Sequence, residues 1–231
     1  MKVLCIIPAR GGSKSIPRKN ISLLNGRPLI DYSIKYAIRC PLINRVIVST
    51  DDDEIANIAF TCGAEIPFKR PVDIATDATQ DYPVIKHALD YFDNIKEYYD
   101  IFVLLRPTSP LRPDGLIEKA LEIIKQNPSA SSVRSVALVT EHPYRMWKKN
   151  GNTIQGLLES DELKEPYNIP RQKLPEYFFQ TGDIEVVTRG ALLSGSISGQ
   201  NVMPLVIENN FIDIDNTQDL IAAEIRLANE K

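Results

Sequence analysis

Residues 2–20 read "KVLCIIPARGGSKSIPRKN". The apolar run at 2–7 predicts a buried parallel strand. The chain leaves that strand through a bend that carries Arg10, Lys14, Arg18 and Lys19 around the adjacent glycines Gly11 and Gly12. Glycine permits close backbone approach and a positive φ. Ser13 adds a hydroxyl, and loop N–H groups can form an anion-binding concavity. Arg10 can grip a phosphate through two parallel hydrogen bonds, while Lys14 acts as a point charge. A P-loop and the dinucleotide fingerprint G-x-G-x-x-G are both absent from the stretch. The whole chain has 231 residues, with 27 basic and 30 acidic side chains and a net charge of −3. A local cationic bend on a mildly acidic chain fits a small anion such as a polyphosphate, and argues against a nucleic-acid partner.

Outward from the bend, strand-like and helix-like segments alternate. Helices are expected at 28–40, 52–63, 82–92 and 114–127, each with an apolar stripe at helical spacing. Strands are expected at 45–50, 64–68 and 100–107, with Gly63 stopping the second helix. This order predicts βαβ units and a mainly parallel sheet in an α/β fold, with ligands off the carboxyl ends of the strands. "STDDDE" (49–54) and "RPTSPLR" (106–112) lie at such ends. From about residue 140 to 180 the chain is rich in Pro, Tyr, Lys and Glu, with an "NGN" turn at 150–152. That segment reads as an excursion with its own hairpin, set between core segments 1–139 and 181–231 of one domain. Strands at 182–188 and 202–208 and a helix from about Thr217 to Ala228 complete the pattern. Asp213 and Asp215, read as lying in a strand, would share one face and offer hard oxygens to Mg²⁺ or Mn²⁺.

Cys5, Cys40 and Cys62 form no C-x-x-C pair, and His87 and His142 lie far apart, which argues against zinc. The odd cysteine number points to a reducing, cytoplasmic setting. A strand beginning after Met1 and Lys2 leaves no room for a signal peptide, and no apolar run reaches the ~20 residues of a membrane span.

Six ordered blocks resemble the CMP-sialic acid synthetase (acylneuraminate cytidylyltransferase) family. "IPARGGSKSIPRKN" matches its A-R-x-x-S-K-x-x-x-x-K-N signature through Ala9, Arg10, Ser13, Lys14, Lys19 and Asn20. "VIVSTDDDEIA", "KRPVDIATDATQ", "LLRPTSPLR", "PRQKLP" and "IDIDNTQDL" follow in the family's order. The resemblance implies a three-layer, Rossmann-like nucleotidyltransferase fold with a protruding dimerisation excursion. It implies transfer of CMP from CTP to the anomeric hydroxyl of a keto-sugar acid, with release of pyrophosphate. Arg10 and Lys14 would then contact the triphosphate, with Gly11, Gly12, Ser13 and Lys19 beside them. Asn20, Arg70 and Asp77 would line the nucleotide side. Thr108 and Ser109 would face nucleotide or sugar, and Asp213 and Asp215 would hold the metal. The family's excursion reaches across a homodimer, which makes Arg171 a candidate to serve the neighbour's site.

Four residues near the implied sugar pocket depart from the family pattern. Arg106 stands for glutamine, Thr181 for asparagine, Asp183 for alanine and Glu185 for tyrosine, with Gln180 beside them. Legionaminic, pseudaminic, sialic and octulosonic acids, a phosphonate, or a nucleotide other than CTP remain alternatives at this point.

Overall fold

The computed structural model describes residues 1–208 and 211–229. Six strands form the main sheet: β1 (Val3–Pro8), β2 (Arg45–Ser49), β3 (Ile101–Leu104), β4 (Ser132–Leu138), β5 (Phe178–Thr188) and β6 (Val202–Val206). Their spatial order is β6-β4-β5-β3-β1-β2. Only β5 runs antiparallel to its neighbours, β3 and β4. The β1–β2, β1–β3 and β4–β6 pairs are parallel. The carboxyl ends of β1, β2 and β3 therefore share one edge, and the entry half of β5 meets them there.

Alternate residues of β1 divide between two cores. Val3, Cys5 and Ile7 face a cluster that includes Ile30 and Ile34 of α1 (Leu29–Arg39), Ile55 of α2 (Asp53–Thr61) and Ile117 and Leu121 of α4 (Leu116–Gln126). Leu4 and Ile6 face Ile85, Leu89 and Phe92 of α3 (Asp81–Asn94) and Leu192 of α5 (Arg189–Leu193). A sheet buried on both faces by helices is the three-layer arrangement the alternating pattern predicted. A third cluster joins Ile16 of the basic bend to Ile214 and to Ala223 of α6 (Thr217–Asn229).

Several local expectations are corrected. Segment 64–68 makes only an isolated bridge, Ile47 to Glu65, and is not a strand. β4 was missed in the sequence: its serines and Arg134 break the apolar run. β5 begins at Phe178, three residues ahead of the expected core boundary at 181. The 140–180 segment does carry a hairpin, Trp147–Asn150 paired with Thr153–Gly156, closed through Gly151 at φ +59°. Asp213 and Asp215 lie in a segment with no regular strand, outside the sheet.

Candidate active site

The bend after β1 lines a cleft of about 260 Å³. Arg10, Ser13, Lys14, Lys19 and Asn20 of the bend line it together with Arg70, Asp77, Arg106 and Thr108. Contacts with the β2–α2 turn shape the bend. The Gly11 amide donates to Asp51 Oδ1 at 3.0 Å. A Cβ on Gly11 would stand 2.7 Å from Asp52 Oδ2, so close approach explains this glycine. Neither Gly11 nor Gly12 has a positive φ, contrary to expectation, and Gly12 has open space around it. Arg18 instead takes the left-handed conformation at φ 57°. It forks onto both oxygens of Asp52 at 2.8 Å, while Asp52 caps α2 by accepting from the Ile55 amide. Burial raises the Asp52 pKa, but the Ile55 amide and Arg18 outweigh it and hold the carboxyl below its usual range.

Asn20 is buried and donates to the Arg10 carbonyl at 2.9 Å, fixing the turn from inside. Arg70 is buried beneath the β2 end, with Nε donating to Ser49 Oγ at 3.1 Å and Nη2 to the Ser49 carbonyl. Desolvation pulls its pKa down to about 10. Asp77 closes over the bend: one oxygen meets Arg10 Nη1 at 2.6 Å and the other meets Lys14 Nζ. The bonds from Lys14 and Arg10 lower the Asp77 pKa. The bridge therefore holds above the ordinary carboxylate range and opens as pH falls through that lowered value. Asp77→Asn is expected to tighten CTP binding about two- to fivefold in calorimetric titration, because partly buried Arg10 and exposed Lys14 lose a competing anion. Weaker CTP binding would make Asp77 a direct nucleotide contact instead.

The carboxyl-terminal aspartate segment meets the bend through Asp215 and Ile214. Lys19 Nζ donates to the Ile214 carbonyl at 2.9 Å and meets Asp215 Oδ1 at 3.1 Å, across 195 residues of sequence. The Ile214 amide in turn donates to the Thr108 carbonyl at 2.7 Å. Asn216 caps α6, its Oδ1 accepting from the Gln218 and Asp219 amides. Asp219 Oδ2 accepts from the Asn216 and Asp215 amides, a reciprocal cap that also fixes the Asp215 backbone. Asp213 and Asp215 are exposed on either side of buried Ile214. Among the described residues, no group of three or more His, Cys, Asp and Glu side chains could hold a metal ion.

Eight of the predicted site residues do not line this cleft: Gly11, Gly12, Asp213 and Asp215, placed above, and Ser109, Arg171, Gln180 and Thr181. Ser109 is buried behind it, and its Oγ has no partner. Thr181 turns into the sheet and donates to Ser135 Oγ at 2.9 Å. Gln180 donates to Glu185 and accepts from Arg134. Arg171 donates to the Val139 carbonyl and lines a separate cavity with His142 and Tyr177.

Sequence reasoning gave no role to Arg112. It is buried at 8% exposure and donates to the Asp183 carbonyl at 2.5 Å, Ser33 Oγ at 3.0 Å and the Arg106 carbonyl at 2.6 Å. One guanidinium thus ties α1, the turn after β3 and the bulge of β5 together. Desolvation lowers its pKa to about 10. Asp183 is fully buried with both carboxylate oxygens unpartnered, and desolvation pushes its pKa up despite Arg112 nearby.

The chain as a whole is similar to known proteins. A family model described as "Cytidylyltransferase" matches residues 4–163. A CMP-N,N'-diacetyllegionaminic acid synthase of Legionella pneumophila is 34% identical over 227 residues, covering 97% of this chain and 95% of its own. A pseudaminic acid cytidylyltransferase of Campylobacter jejuni is 34% identical over 230 residues, covering 97% and 96%. A solved CMP:2-keto-3-deoxy-manno-octonic acid synthetase in complex with CTP superposes with a TM-score of 0.75, covering all of both chains at 17% identity, a likeness of fold alone. The basic bend after β1, joined to the carboxyl-terminal aspartates through Lys19, therefore sits in a chain that belongs to the cytidylyltransferase family.

Proposed function

We propose that this protein transfers CMP from CTP to the anomeric hydroxyl of a nonulosonic acid, of the kind its relatives' names carry, releasing pyrophosphate. The observation that carries the reading is the single cleft in which Arg10, Lys14 and Lys19 gather beside the Asp213–Asp215 segment. The sugar oxygen bonds to the α-phosphorus as the bond to the bridging oxygen of pyrophosphate breaks. Charge grows on the departing pyrophosphate, and Arg10 and Lys14, which line the cleft, are the cations that neutralise it. Arg70, held under the β2 end, and Asn20 keep the nucleotide wall in place.

Asp213 and Asp215 offer hard carboxylate oxygens from a short, pinned segment, a donor set that suits Mg²⁺ or Mn²⁺ sharing phosphate oxygens. When bound, such an ion supplies charge neutralisation at the phosphates. The excursion at 140–180 exposes Met146, Trp147, Ile154 and Leu157, an apolar surface that supports a homodimer in which Arg171 serves a second copy's cleft. Three free cysteines, and no helix among the described residues long and apolar enough to cross a membrane, support a cytoplasmic setting.

The test is incubation with Mg²⁺, each nucleoside triphosphate in turn, and N,N'-diacetyllegionaminic, pseudaminic, N-acetylneuraminic or 2-keto-3-deoxyoctonic acid, read by mass spectrometry. A CMP adduct with a nine-carbon acid is expected. Turnover with GTP but not CTP would overturn the base assignment.

A further inference from the structure

Arg106 and Asp81, on the cleft wall, belong to a charge cluster that the sequence did not reveal. Glu185 lies in β5 between Leu104 of β3 and Arg134 of β4. Its position beside the carboxyl end of β3 brings it to Arg106, two residues beyond that strand. Arg106 Nη2 meets Glu185 Oε1 at 2.6 Å and Asp81 Oδ2 at 2.5 Å. Glu185 Oε2 holds Arg134 Nη1 at 2.9 Å. Gln180 closes the ring, donating to Glu185 Oε1 and accepting from Arg134.

The cluster is closed in charge: two guanidinium groups face two carboxylates. It is not closed in hydrogen bonds, because Arg106 Nη1 is buried without a partner. Glu185 is only 4% exposed. Arg106 cannot swing away to meet a substrate carboxylate without stranding that buried anion, which is costly. A carboxylate brought to this wall would add an uncompensated negative charge. A hydroxyl or acyl carbonyl oxygen would use the remaining donor capacity and leave the charge balance intact.

We propose that Glu185 is a specificity-setting positioning residue: it pins Arg106 and cancels its charge, so that this wall selects a neutral oxygen-bearing part of the sugar acid, such as an N-acyl group, and not its carboxylate. The proposal rests on the cytidylyl-transfer reading and names the part of the substrate that this wall inspects.

The test compares wild type, Glu185→Gln, Glu185→Asp and the double variant Arg106→Gln/Glu185→Gln. The substrates are N,N'-diacetyllegionaminic acid and its uncharged-side-chain analogue with one acetamido group replaced by hydrogen, at saturating CTP and Mg²⁺. Glu185→Gln is expected to raise KM for the diacetylated acid about tenfold, the scale of one lost charge-assisted hydrogen bond, while KM for CTP stays within about twofold. It is also expected to erase the wild-type preference for the diacetylated acid. Glu185→Asp keeps the charge and should restore part of that preference. The double variant removes one charge of each sign, so it keeps the cluster balanced if Glu185→Gln alone folds poorly; it should fold and show the same loss of preference. An unchanged sugar-acid KM and preference, or a parallel rise in both KM values, overturns the inference while leaving cytidylyl transfer standing. Absence of turnover with any acid in wild type overturns the reading beneath it as well.

Discussion

Lys14→Ala is expected to lower kcat/KM by about 10²–10³-fold while leaving the far-ultraviolet circular dichroism and the melting temperature of the protein unchanged. The size follows from removing one preorganised cation from the place where charge develops during phosphoryl transfer. The structural neutrality follows from exposure: the Lys14 side chain is 82% exposed, and its one ion pair is with half-exposed Asp77. Exposed pairs of this kind contribute little to folding. Steady-state pyrophosphate release, measured alongside thermal melting, separates the two effects. A rate within about threefold of wild type would remove Lys14 from the reaction, since a transition-state cation cannot be lost so cheaply.

Arg112→Leu has the opposite signature, a large loss of stability. Arg112 is buried, makes three hydrogen bonds to otherwise distant elements, and is the nearby cation for the unpartnered Asp183 carboxylate. Deleting the guanidinium leaves three buried acceptors unpaired and removes a nearby counter-charge from the buried Asp183 carboxyl, and the expected cost is about 3–5 kcal/mol. Urea titration should show the midpoint falling with little change in slope. Asp183→Asn in the same background tests the cause: it removes the stranded charge and should recover part of the loss. No recovery would assign the damage to the lost Ser33 and Arg106 contacts instead.

How much of this was legible in the sequence follows the range of the interactions. The apolar stripes of α1 to α4 and α6 are local patterns, and each of those helices appears within a few residues of its expected bounds. The bend after β1 was equally plain, because its charges are neighbours in sequence. The convergence of that bend with Asp215 was an expectation of the family resemblance, and Lys19 now provides the contact. What remained hidden is non-local or depends on the partner strand. β4 carries Arg134 and Ser135 where an apolar strand was sought, because those side chains serve the charge ring and the β5 bulge. It also carries Ser132, whose hydroxyl donates to the Ser198 carbonyl. Gly182, at φ +79°, makes that bulge possible, yet nothing around it in the sequence announces a left-handed residue. Arg112 and Asp183 are 71 residues apart, and neither alone suggests the buried bond from the guanidinium to the Asp183 carbonyl. The same holds for Arg106 and Glu185. Each departs from the family pattern when read singly, and only their contact at 2.6 Å shows that the two departures compensate each other in charge.

The glycine pair of the bend shows how composition can point to the right place for the wrong reason. Both were expected to allow close approach of the backbone to a ligand and a positive φ. Gly11 instead provides space against Asp52, and the left-handed turn falls on Arg18. The bend is thus braced by the acidic β2–α2 turn, through the Gly11–Asp51 and Arg18–Asp52 bonds, and its cations are left facing the cleft.

The most direct measurement is paramagnetic relaxation by Mn²⁺ bound together with CTP, read on the backbone amides of the isotopically labelled protein. If the cationic bend and the aspartate segment surround one metal–nucleotide complex, the Gly11–Lys14 amides and the Asp213–Asp215 amides broaden together, and both recover on removal of CTP. Broadening confined to one of the two segments would contradict the shared site.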